Sequence, residues 1–64
     1  MTWCVCIVKD GKSDRVEGTR DECVAMMVDM TGMPEEEAEG FLINALLIGK
    51  WGFTEPYELF VESL

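Results

Sequence analysis

Thr54-Glu55-Pro56-Tyr57-Glu58-Leu59-Phe60-Val61-Glu62-Ser63-Leu64 carries two hydrophobic periods at once, and the choice between them sets the fold. At 3.6 residues per turn, Tyr57, Phe60, Val61 and Leu64 recur at i, i+3, i+4 and i+7, with Thr54 and Pro56 placed to start a helix. At a period of two, Tyr57, Leu59 and Val61 share one face, and Phe60 falls between Glu58 and Glu62 on the other. An aromatic ring among carboxylates counts against the strand, so the sequence predicts a third helix here, with a third strand as the alternative.

Upstream, Met33-Pro34-Glu35-Glu36-Glu37 opens a helix, because proline is preorganised for a first turn and carboxylates there meet the positive end of the backbone dipole. Ala38, Phe41, Leu42, Ala45 and Leu46 form its core stripe, and Gly49 supplies the stop. Ile43 and Leu47 lie one turn apart and off that stripe. Before it, Thr19-Arg20-Asp21-Glu22 is a capping box in front of Cys23, Met26, Met27 and Met30, and Gly32 closes that helix. The three methionines could form an adaptable binding groove, but their spacing suits core packing better. Residues 2–9 are β-branched and aromatic and run into Asp10-Gly11, a strong hairpin signal. The return strand covers about Lys12 to Glu17 and sets Val5 opposite Val16 and Ile7 opposite Asp14. Trp3, Val5, Ile7 and Val16 then face the core, with Cys4 and Cys6 behind. The expected fold is α+β, one domain over residues 1–64: an N-terminal β-hairpin packed on two helices, with a helical C-terminal segment.

Charge restricts function more than any motif does. Five Lys and Arg stand against thirteen Asp and Glu, a net of −8 in 64 residues. Direct nucleic-acid binding is disfavoured, since the phosphate backbone has the same sign, and so is an anionic membrane surface. A basic protein surface is the natural counterpart, although acidity also serves solubility. The N-terminus lacks the basic and long apolar regions of a signal peptide, and the longest apolar run, Phe41 to Ile48, is broken by Asn44, so a cytoplasmic protein is expected.

Catalysis is not expected, and no catalytic residue or cofactor is assigned. The chain has no histidine to act near neutral pH, its cysteines lack an activating partner, and no glycine-rich phosphate loop is present. Cys4, Cys6 and Cys23 form an odd set that suits a reducing compartment. They could chelate a metal together, but packing as small hydrophobes is the better reading, so no metal site is expected.

Two features exceed what folding alone requires. The first is an acidic set: Asp29, Glu35, Glu36, Glu37 and Glu39 around the second helix start, and Glu55, Glu58 and Glu62 on the tail. If the tail is helical, those last three share one face over about 10 Å at 1.5 Å per residue, near phosphate spacing. Helix starts account for Asp21, Glu22, Glu35 and Glu36 but leave the others unexplained. The second is Ile43 with Leu47, which one thin core cannot cover together with the main stripe. Either the hairpin and tail wrap that side of the helix, or the pair meets another subunit in a homodimer.

In size, acidity and the run Pro34-Glu35-Glu36-Glu37-Ala38-Glu39, the chain resembles the small phage-encoded inhibitors that include anti-CRISPR proteins and other nucleic-acid mimics. The resemblance implies an inhibitor whose carboxylates stand in for phosphates on the basic surface of a nucleic-acid-binding protein or complex, in the host cytoplasm. Such inhibitors share no common fold, so the fold is argued from the residues alone.

Overall fold

The computed structural model describes residues 2–64 and contains strands β1 (Trp3–Lys9) and β2 (Lys12–Gly18), helices α1 (Arg20–Thr31) and α2 (Glu35–Ile48), and strands β3 (Lys50–Phe53) and β4 (Glu58–Ser63). The strands form one antiparallel sheet in the order β2-β1-β4-β3. Both helices pack on one face of it, α1 over the β1–β2 side and α2 over the β3–β4 side.

The hairpin register follows from its turn. Asp10 and Gly11 take φ of 53° and 77°, the double left-handed conformation of a two-residue turn, which aligns Val5 with Val16 and Ile7 with Asp14. α1 begins with its capping box formed: the Glu22 amide donates to Thr19 Oγ1 at 3.4 Å, and the Thr19 amide donates to Glu22 Oε1 at 3.0 Å. The Thr19 amide and then its hydroxyl hold the Glu22 carboxyl below the ordinary glutamate range. α2 has no side-chain cap; the Pro34 carbonyl accepts from the Glu37 and Ala38 amides, and three carboxylates occupy the first turn.

The C-terminal helix is not there. Residues 50–63 instead supply two strands, and β4 lies between β1 and β3 in the sheet. The strand period prevails because Leu59 and Val61 then enter the core opposite Ile7 and Val5. Phe60 does lie between Glu58 and Glu62 on the open face, but its ring is covered by the Lys50 ammonium, 4.9 Å from the centroid, and it sits across from Gly52. Gly52 is demanded by that pairing, since a Cβ there would stand 2.1 Å from the Leu59 carbonyl oxygen.

Trp3, Val5, Ile7, Leu59 and Val61 from the sheet meet Cys23, Val24 and Met27 of α1 and Ala38, Leu42 and Ala45 of α2 in the core. Met26 and Met30 pack against its margin, so the methionines serve the interior. The Trp3 indole donates to the Leu42 carbonyl at 3.3 Å, fixing α2 to the inner strand. Phe41, Phe53 and Tyr57 close the β3 side with edge-to-face contacts at 5.7 and 5.2 Å. Leu46, expected in the core stripe, lies outside it, half exposed on the flank of α2.

Candidate partner-binding surfaces

Charge is distributed unevenly between the layers. Residues 19–49, which hold both helices, carry Arg20 against Asp21, Glu22, Asp29, Glu35, Glu36, Glu37 and Glu39, a net of 1 − 7 = −6 out of −8. The other four cations, Lys9, Lys12, Arg15 and Lys50, all lie on strands or the hairpin turn side of the sheet. The short connection Gly32-Met33-Pro34 keeps the end of α1 close to the start of α2, and acids of both helices line one groove.

Between the helices runs a groove of about 460 Å³ lined by Asp21, Val24, Ala25, Val28 and Asp29 of α1 and by Glu35 and Glu39 of α2. Its floor is aliphatic and its rim is carboxylate. Arg20 reaches into the rim, 2.8 Å from Glu39 and 3.3 Å from Asp21. Among the described residues, Asp29, Glu35, Glu36 and Glu37 join no ion pair, and all four are exposed.

The sequence-derived acidic set is therefore divided. Asp29, Glu35, Glu36, Glu37 and Glu39 gather on the helical layer. Glu58 and Glu62 project from β4 on the opposite, open face of the sheet, flanking Phe60, and Glu55 sits in the β3–β4 turn. The single helical face proposed for Glu55, Glu58 and Glu62 does not form, because the tail is strand.

Ile43 is 54% and Leu47 75% exposed, so neither hairpin nor tail wraps this side of α2. Ile48 and Trp51 are exposed as well. At 100° per residue the outward surface of α2 consists of three rows: Glu36-Gly40-Ile43-Leu47, Glu35-Glu39-Leu46 and Glu37-Asn44-Ile48. Each row starts in a carboxylate and ends in an aliphatic side chain. Sequence patterning marked Ile43 and Leu47; it missed Leu46 and Ile48, whose exposure depends on how far along α2 the sheet provides cover.

The cysteines separate as well. Cys23 faces the interior, its thiol directed at the Trp3 and Gly18 carbonyl oxygens, and burial raises its pKa. Cys4 and Cys6 lie on the other side of β1, so the three do not meet in one metal site.

These surfaces belong to a small α+β domain with two helices on one face of a four-stranded antiparallel sheet and an acidic groove between the helices. No protein-family model, no curated protein and no solved structure matches the chain. No helix among the described residues is long and apolar enough to cross a membrane.

Proposed function

We propose that this chain is a small acidic binding protein that inhibits a nucleic-acid-binding protein or complex by occupying its basic surface, in the manner of anti-CRISPR proteins and other DNA mimics. The observation that carries this reading is the α1–α2 groove, where Val24, Ala25 and Val28 lie between carboxylates of both helices. An arginine or lysine has the matching shape: its methylene stem covers the aliphatic floor while its charged head remains at the carboxylate rim. Glu36 and Glu37 extend the same negative field along α2, and a field of one sign speeds encounter with a basic partner and rejects acidic ones.

A test is titration of the chain with an arginine-rich helical peptide from about 50 to about 200 mM salt, a range over which multi-contact ionic binding weakens by orders of magnitude. Steep weakening, and loss of binding in Glu35→Lys with Glu39→Lys, is expected. Affinity that stays flat with salt contradicts the reading.

A second reading rests on a separate observation, the exposure of Ile43, Leu46, Leu47 and Ile48, and makes the chain an assembly module that pairs with a second copy of itself. Antiparallel packing centred between residues 43 and 47 places the two Glu36 residues roughly 27 Å apart at 1.5 Å per residue, well beyond the screening length of about 8 Å at physiological salt. The acidic ends then do not oppose association. Sedimentation at micromolar concentration should show a dimer that persists in salt and is lost in Leu47→Asp; a monomer at all concentrations sinks this reading.

A further inference from the structure

The open face of the sheet carries a feature that neither reading uses. Cys4 and Cys6 leave β1 on the same side with their sulfurs 3.9 Å apart, in a hollow of about 190 Å³ shared with Arg15, Lys50, Phe60 and Glu62. Both thiols are free. β1 is an inner strand, held by ladders to β2 on one side and β4 on the other.

That position makes a disulfide between them costly. Two residues of extended strand span roughly 6.8 Å, and side chains at i and i+2 leave nearly parallel, so their Cβ atoms are separated by a similar distance. A disulfide requires Cβ atoms about 3.5–4.5 Å apart. Oxidation would oblige β1 to buckle between two intact ladders. A bridging ion makes no such demand, since two thiolates on a tetrahedral ion with bonds of about 2.3 Å stand about 3.8 Å apart.

We propose that Cys4 and Cys6 form a two-thiolate clip for one soft, thiophilic cation of the Zn²⁺ or Cd²⁺ class on the open face of the sheet. Each thiol gives its proton to solvent as its sulfur bonds the metal, so two protons leave per ion and no electrons move. The charged groups facing the pair are Arg15 and Glu17 from β2, Glu62 from β4 and Lys50 from β3; Arg15 is itself paired with Glu17. Protons compete with the metal for the two sulfurs, so binding tightens as pH rises. Among the described residues no third His, Cys, Asp or Glu completes the set. The remaining positions fall to water or to a donor on a bound molecule, which makes the ion exchangeable. The core lies on the opposite face of the sheet, and the fold does not depend on the ion.

The test is titration of the reduced chain with Cd²⁺, following thiolate-to-metal charge-transfer absorption and proton release. One ion per chain and two protons per ion are expected, with tighter binding at higher pH and no response to Mg²⁺. Cys6→Ala, at a half-buried position, should weaken binding at least tenfold while circular dichroism shows the fold intact; Cys23→Ala should leave the cadmium signal unchanged. Absence of binding by the reduced wild-type chain, release of fewer than two protons, or full binding by Cys6→Ala overturns the proposal. Closure of a Cys4–Cys6 disulfide by oxidised glutathione in the folded chain would remove its geometric basis.

Discussion

The two halves of α2 ride on the same sheet and present the same outward rows, yet they offer opposite chemistry. Residues 35–39 supply four carboxylates, and residues 43–48 supply Ile43, Leu46, Leu47 and Ile48 to the outer surface. Folding asks for the first half: carboxylates at a helix start meet the amide end of the backbone dipole, and α2 has no side-chain cap to serve instead. Folding does not ask for the second, since polar residues would serve equally on a face the core never reaches. The comparison teaches that the acidic end has a structural use beside the recognition proposed for it, whereas the apolar end has no use in the core.

The comparison can be broken outright at Leu42, which lies under the junction of the halves and is almost fully buried. Leu42→Ala should cost about 2–5 kcal/mol by chemical denaturation, much of the stability of a domain this small, and both surfaces should fail together. Survival of either surface in a largely unfolded chain would show that it does not depend on the fold.

Glu36→Lys with Glu37→Lys sharpens the contrast from the acidic side. Affinity for an arginine-rich peptide should fall at least tenfold, about 1.4 kcal/mol, with the circular dichroism spectrum retained. Unchanged affinity would confine recognition to the groove.

Thr19→Ala acts on the other helix and serves as a control. Loss of this cap should cost about 1 kcal/mol in thermal or denaturant unfolding and leave peptide affinity unaltered in the folded chain. The same box gives a pH signature. A carboxyl whose folded pKa is depressed contributes stability above its unfolded pKa and loses it as pH falls through the folded one. The contribution of Glu22 should therefore fade on acidification below the ordinary glutamate range, and Glu22→Gln should lack that part of the acid-side slope.

The smallest effect is expected at Leu47. Because it is mostly exposed, Leu47→Asp should change monomer stability by no more than about 0.5 kcal/mol, measured at a concentration below any association. A large loss would mean that the apolar end is structural after all.

The first half of the fold was legible because its signals are local. Asp10-Gly11 fixes a two-residue turn and with it the whole β1–β2 register, while Thr19 with Glu22 marks a helix start three residues wide. The tail was misread because Tyr57, Phe60, Val61 and Leu64 fit a helix as well as Leu59 and Val61 fit a strand, and local period cannot choose between them. A non-local signal existed in β1. Trp3 to Val8 is apolar almost without interruption, as in an inner strand, and an inner strand needs partners on both sides. The polar β2 can supply only one of them, so the other had to come from the tail.

The surfaces were legible only in part. Net charge and the run Glu35-Glu36-Glu37 pointed to an acidic surface, but the groove depends on Asp21 and Asp29 of α1 lying across from Glu35 and Glu39, a tertiary fact. The pairing of Cys4 with Cys6 followed from strand alternation, whereas the placement of Cys23 on the opposite face needed the packing of α1 against the sheet.

Titrating isotope-labelled chain with an arginine-rich helical peptide, and mapping amide shifts at low and high salt, bears most directly on recognition by the helical layer. The account predicts changes concentrated at Asp21–Asp29 and Glu35–Glu39 that vanish as salt is raised. Changes centred on the open face of the sheet, or undiminished by salt, would contradict it.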